Sequence, residues 1–264
     1  MNPVLLAVAR MMLPKRLHSS IFCPAFLLNR TLQRTGVNVS TGPFCGLRYL
    51  DASFASVLIP KLLGIYEREL HPIIEEALEL RFGRIIDIGA AEGYYAVGFA
   101  ARLPQAKIWA FEADETARHL LRLLAEQNGV ADRLTIRGHC GQDNLRDVLP
   151  DGSGKTLVVC DAEGAEATLL DPVAVPGLCG AHVLVELHSK TSPGVCELLL
   201  NRFRATHEIH TVKQAARHAS DYPYRSFPVS LFPRVYLENA VSEFRQPWQD
   251  WMSWYWMKPR CSSR

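Results

Sequence analysis

Between residues 84 and 200 the chain alternates short β-branched runs with stretches of helical period, and that order restricts the fold to repeated βαβ units around a parallel sheet. Strands are predicted at 84–88, 107–111, 134–137, 156–160 and 181–188. After Gly93, apolar Val97, Ala100, Ala101 and Leu103 form one helical stripe. After Asp114, Ala117, Leu120, Leu121, Leu124 and Ala125 form a cleaner one, ended by Asn128-Gly129. Right-handed crossovers place helices on both faces, so the expected class is α/β with a doubly wound, mostly parallel sheet. In such a sheet a ligand lies beyond the C-terminal strand ends.

The flanks differ from this centre. Residues 1–80 read as an N-terminal cap, with a small hairpin at 35–49 and a helix at 62–80, followed by the main domain at 81–240. Strands at 206–212 and 230–237 are predicted to form a C-terminal antiparallel edge. In the Trp-rich segment 241–264, Trp248, Trp251 and Trp254 at spacing three predict one side of a helix docked on the domain, and a lid shared with the 222–227 loop is the sharper alternative. Val4, Leu5, Val8, Met11 and Met12, followed by Lys15 and Arg16, suggest a short helix packed on its own domain, with weak membrane-surface contact through residues 1–16 as the alternative.

Composition removes several classes. A chain of 264 residues with 48% hydrophobic and 21% charged content and a net charge of +2 is neither disordered nor collagen-like, and no uncharged apolar run is long enough to span a bilayer. The near-neutral balance predicts no nucleic-acid partner. Seven cysteines without a CxxC pair predict neither a disulfide framework nor a zinc site. A reducing, cytoplasmic location is the expectation, with no export signal.

The most informative segment is Ile85-Ile86-Asp87-Ile88-Gly89-Ala90-Ala91-Glu92-Gly93-Tyr94-Tyr95, where an apolar strand meets small residues and passes straight into a helix. Backbone amides at that helix start face a ligand with little side-chain bulk between. A dinucleotide turn would read GxGxxG and serve a pyrophosphate, whereas here the spacing is Gly-x-x-x-Gly and Asp87 and Glu92 would repel one. A cationic ligand without phosphate suits these acids, and S-adenosylmethionine has that chemistry. Gly89, Ala90, Ala91, Gly93 and Tyr94 form the cradle, and Glu112 at the end of the second strand is positioned for ribose hydroxyls. NAD uses a similar acid, so Glu112 does not separate the two cofactors. His139 and Cys140 follow the third strand, where the adenine edge is expected.

Strand four leads into Cys160-Asp161-Ala162-Glu163-Gly164-Ala165-Glu166. Three carboxylates in six residues repel one another unless they serve a cation, a donor or a helix start. Glu166 is accounted for as a first-turn acid that favours the helix dipole. Alternation in the fifth strand puts Leu184, Glu186 and His188 on one face, so Glu186 and His188 are expected in the cleft with Asp161. Asp161 and His188 are the alternative general bases, with Glu163 or Glu186 orienting the base or the acceptor. Asp161, Glu163, Glu186 and His188 also have the chemistry to ligate a divalent metal, although no metal is expected.

Together the loop Asp87-Ile88-Gly89-Ala90-Ala91-Glu92-Gly93-Tyr94-Tyr95 and the motif Asp161-Ala162-Glu163-Gly164-Ala165-Glu166 resemble those of the class I S-adenosylmethionine-dependent methyltransferases, and more closely their FkbM-like branch. The likeness covers residues 84–200, and Gly42-Pro43-Phe44-Cys45-Gly46-Leu47-Arg48-Tyr49 is similar to a hairpin that precedes some of these domains. Ala91 stands where a second glycine is common. The resemblance implies a Rossmann-like fold and methyl transfer, often to a hydroxyl of a sugar or other small molecule. The expected partner is a small-molecule or glycan acceptor; the rival readings are a catalytically idle relative that uses the same fold to bind a partner, and an NAD-dependent enzyme.

Overall fold

The computed structural model describes residues 22–54, 57–152, 155–243 and 252–260. Their elements, in chain order, are α1 (Phe22–Thr35), α2 (Leu58–Leu63), α3 (His71–Leu80), β1 (Arg84–Ile88), α4 (Tyr94–Arg102), β2 (Lys107–Phe111), α5 (Glu115–Gln127) and β3 (Leu134–Arg137). They continue with α6 (Gln142–Val148), β4 (Thr156–Cys160), α7 (Glu166–Leu169), β5 (His182–Glu186), α8 (Val195–Phe203), β6 (His207–Lys213), α9 (Arg234–Val241) and β7 (Ser253–Pro259).

The seven strands form one sheet in the order β3-β2-β1-β4-β5-β7-β6. The first five pair in parallel, and β7 runs antiparallel to both β5 and β6. The doubly wound, mostly parallel sheet with an antiparallel edge is therefore present. The inner strands β1, β4 and β5 are buried along nearly their whole length, as a sheet covered by helices requires. On one face Ile86, Ile88, Phe111, Val158, Val183, Val185 and Met257 are buried with Leu145, Val148, Leu169, Leu199 and Phe203 of the helices. The alternate residues Ile85, Ile108, Leu157, Leu184, Trp254 and Trp256 turn the other way and are buried too.

The helix predicted after Asp114 is α5: Asp114 caps it by accepting from the Ala117 amide, and Ala117, Leu121, Leu124 and Ala125 are buried. Elsewhere the structure corrects the sequence reading. The helix expected at 62–80 is broken, because Gly64 takes a left-handed φ of 72° that ends α2, and α3 begins only at His71. The 230–237 strand is absent; Val229–Leu231 is a single 3₁₀ turn, and α9 buries Leu237 and Val241 at helical spacing. The last strand is β7 instead. Trp254 accordingly lies in a strand, not on a helix, and Trp254 and Trp256 are each 2% exposed. The helix expected to include Trp248 and Trp251, and the one at the N-terminus, fall outside the described residues. The 35–49 hairpin is short: one antiparallel bridge joins Asn38 to Arg48, with Tyr49 N donating to the Val37 carbonyl and Val39 N to the Leu47 carbonyl.

The chain divides into two compact units, Met1–Arg68 with Ala215–Arg245, and Glu69–Gln214 with Gln246–Arg264. The first has its own core of Leu27, Ile59, Leu63, Tyr222, Val229, Leu237 and Val241. Tyr222 donates from its hydroxyl to the Leu27 carbonyl within it. In this unit Arg217 forms a buried ion pair with Glu243 at 2.9 Å. The second unit contains the whole sheet, and β7 is held to α3 by Glu76, which accepts from Trp256 Nε1 at 3.1 Å and Lys258 Nζ at 3.2 Å. Among the described residues no helix is long and apolar enough to cross a membrane. Cys45, Cys140, Cys160, Cys179 and Cys196 are free thiols.

Candidate functional site

The β1–α4 loop is fixed to its neighbours by backbone bonds. Gly89 N and Ala90 N donate to the Phe111 carbonyl, and Ala91 N donates to Glu112 Oε2 at 2.8 Å. Gly89 has φ +79°, and a Cβ there would sit 1.7 Å from the Asp161 carbonyl oxygen, so only glycine lets the loops after β1 and β4 meet. Asp161 N completes the junction by donating to the Ile88 carbonyl. Ala91 and Glu163 both hold a left-handed φ, 46° and 51°, conformations that cost a side-chain-bearing residue about 1–3 kcal/mol and concentrate at functional sites.

Glu112 is half-buried and also accepts from Asp114 N at 2.7 Å through Oε1, which leaves lone pairs on both oxygens for further donors. Asp87 and Glu92 lie beneath the loop, 2% and 0% exposed. Tyr94, at the start of α4, is buried and packs edge-on against Tyr95. Beyond β3, His139 is exposed while Cys140 is in the apolar core. Burial pushes the Cys140 thiol up to about 12, so it stays protonated.

The acidic motif and the end of β5 come together because β4 and β5 are parallel neighbours with Cys160 opposite Val185. One residue further, Asp161 and Glu186 leave adjacent strands side by side. His188 occupies the middle of the cluster: its Nε2 lies 3.5 Å from Asp161 Oδ1, 3.5 Å from Glu163 Oε2 and 3.7 Å from Glu186 Oε1. Its Nδ1 lies 2.7 Å from Glu166 Oε1. The side chains run from open to closed, Glu163 at 74%, Asp161 at 43%, His188 at 15%, Glu186 at 9% and Glu166 at 0% exposed. The four expected residues, Asp161, Glu163, Glu186 and His188, are thus assembled, and Glu166 is a fifth that the sequence reading explained as a helix-start acid.

Electrostatics favour a positive charge at the centre. Like charges about 4 Å apart repel by roughly 1 kcal/mol in water and about 4 kcal/mol at a protein surface, so the carboxylates are offset only by a proton or a cation among them. Burial acts to lower the His188 pKa, but the Glu166 hydrogen bond and the charges of Asp161, Glu166 and Glu163 outweigh it and hold it above the usual histidine value. For Glu166 burial acts upward, and the His188 contact with the backbone donors reverses it, so its carboxyl stays below the usual range and ionised. Asp161, Glu186 and His188 each offer a ligand atom within 4.8 Å of the others.

No family model matches the chain. No curated protein matches it either. Among solved structures it is similar to the O-methyltransferase TomG of Streptomyces achromogenes, involved in tomaymycin synthesis and solved in complex with SAM, at 15% identity and TM-score 0.46 over 70% of this chain and 77% of that one. It is also similar to an rRNA methylase from Streptococcus thermophilus, at 12% identity and TM-score 0.47 over 73% of this chain and 96% of that one.

Proposed function

We propose that the chain is an S-adenosylmethionine-dependent methyltransferase of the class I type and FkbM-like branch, acting on a hydroxyl of a sugar or other small molecule in a reducing, cytoplasmic setting. The observation that carries this reading is the juxtaposition of a glycine-hinged, acid-lined loop with a histidine whose outer nitrogen faces three carboxylates. The acids fit a cationic cofactor: Glu112, fixed by the Ala91 and Asp114 amides, keeps lone pairs for the adenosyl ribose hydroxyls, while Asp87 and Glu92 lend negative potential from beneath. Gly89, Ala90, Ala91, Gly93 and Tyr94 shape the cradle, and His139 and Cys140 border the adenine.

When bound, S-adenosylmethionine supplies a methyl carbon already activated by its sulfonium. The protein then has to align the acceptor and remove one proton. His188 Nε2 accepts the acceptor's hydroxyl proton as the oxygen gains the methyl group, and Asp161 stabilises the imidazolium that results. Glu186, on the buried side of Nε2, adds negative potential that favours the imidazolium, and Glu163, the most open of the cluster, hydrogen-bonds the acceptor.

The test is to incubate pure protein with methyl-labelled S-adenosylmethionine and cell extract split into small-molecule, glycan, lipid, protein and nucleic-acid fractions. Label in the small-molecule or glycan fraction is expected. Cofactor binding by calorimetry with no label in any fraction points to an idle binding protein, and binding of NADH in place of S-adenosylmethionine overturns the cofactor. A second reading is favoured by the ligand atoms of Asp161, Glu186 and His188 lying within 4.8 Å, which suits a divalent cation. Labelling that stops in chelator and returns with added magnesium or manganese selects it; labelling indifferent to chelator removes it.

A further inference from the structure

We propose that Glu166 is the positioning residue of this site, a single buried carboxylate oxygen that fixes the tautomer and ring orientation of His188 together with the loop that carries Asp161 and Glu163. The proposal rests on the reading of His188 as proton acceptor for its consequence in turnover, but not for its geometry. Glu166 opens the four-residue α7, where an acid serving only the helix dipole would reach forward to that helix's own first-turn amides. Beside its contact with its own amide, the carboxylate reaches back out of the helix through Oε1. It accepts from Ala162 N and Gly164 N, both at 3.1 Å and both upstream of α7, and meets His188 Nδ1 at 2.7 Å.

The side chain is 0% exposed, so an acceptor in the cleft does not touch it and it cannot itself exchange protons with substrate. An ionised carboxylate has acceptor capacity only, so Nδ1 must carry the hydrogen and donate it. The neutral imidazole is thereby held with its lone pair on Nε2, the nitrogen facing Asp161, Glu163 and Glu186. A neutral ring without this partner can carry its proton on either nitrogen, and in the wrong tautomer it presents a donor where the mechanism needs an acceptor. The backbone contacts add a second constraint. Ala162 and Gly164 flank Glu163, whose left-handed φ of 51° is held open by the same oxygen that orients the histidine. One atom therefore sets the spacing between the acids after β4 and the base after β5.

The test uses the full chain as wild type, Glu166→Gln, Glu166→Ala, His188→Gln and the Glu166→Ala/His188→Gln double variant. Two measurements are made: ring ¹⁵N NMR of neutral His188, which reports the tautomer without any acceptor, and the initial rate of methyl labelling of the responsive extract fraction. Glu166→Gln keeps an Oε1 acceptor and is expected to retain the Nδ1–H tautomer while losing about 10-fold or more in rate with the negative charge. Glu166→Ala is expected to mix the tautomers and lose rate by about 10²-fold or more, with S-adenosylmethionine affinity within about 3-fold of wild type. The double variant should be no slower than His188→Gln alone, since residues that act as a unit are not additive. A pure Nδ1–H tautomer in Glu166→Ala, or rate losses that multiply in the double variant, overturns the proposal. If Glu166→Ala does not fold, Glu166→Leu, which fills the space without an acceptor, takes its place: a pure Nδ1–H tautomer there overturns the proposal. Wild-type rate in His188→Gln would instead defeat the reading of His188 as base, and the NMR result would still judge Glu166.

Discussion

His188 shows how a single side chain acquires chemistry from neighbours that are distant in sequence. On its own a histidine after a strand is an ordinary loop residue; here one nitrogen meets a buried acid at 2.7 Å and the other faces three more. As a base it must be neutral, and its pKa is held above the ordinary value of about 6.5. Methyl transfer is therefore expected to rise with pH along an acid limb lying above pH 6.5, measured as initial rate with cofactor saturating. A limb below pH 6 would remove His188 from the role. In His188→Gln the rate should fall by about 10²–10⁴-fold, the usual worth of a positioned acid–base group. Stability follows the opposite course. A histidine whose folded pKa is raised contributes stability below its unfolded pKa, and that contribution is lost as pH rises through the folded value. Wild type should thus lose its stability advantage over His188→Gln toward alkaline pH, a trend thermal melts would show.

At the scale of elements, the parallel strands were legible because buried strands need apolar β-branched runs and crossover helices need an apolar stripe. The predicted bounds of β1 to β4 agree with those observed. The junction of the β1 and β4 loops was not legible, since nothing local in Asp87-Ile88-Gly89-Ala90 records that the Asp161 carbonyl will lie against Gly89. Gly89→Ala places a methyl group 1.7 Å from that oxygen and requires a left-handed φ as well. It is expected to destabilise the protein by about 3 kcal/mol or more, read as a lower urea midpoint, and to abolish cofactor binding. An unchanged midpoint would show that the loops are not in contact. The 230–237 segment failed for a different reason. Its short apolar run fits strand or helix equally, and burial of Leu237 and Val241 decides for the helix α9.

For the whole molecule, the decisive element is β7, which inserts between β5 and β6 from near the end of the chain. It pairs with Val183 to Glu186 on one side and all of β6 on the other, and Trp256 and Lys258 tie it to Glu76. Deleting residues 247–264 leaves two strands without their common neighbour and exposes the face covered by Trp254 and Trp256. That truncated protein is expected to aggregate or unfold without cooperativity, judged by near-ultraviolet circular dichroism and calorimetry. A folded, cofactor-binding product that transfers no methyl would restore the tryptophans to the role of a lid. The near-neutral total charge of the chain conceals the acids gathered at one end of the sheet, because a sum over residues contains no positions.

By itself the sequence determined the class of fold, the glycine-bearing loop after β1 and four of the five residues of the acidic cluster, since these depend on local period, turn chemistry and strand alternation. Tertiary structure alone decided the register of Cys160 against Val185, the antiparallel place of β7 and the pairing of Glu166 with His188. These are contacts between residues 22 or more apart, set by which strands lie side by side and how they are staggered. Chain-local propensity carries no information on either.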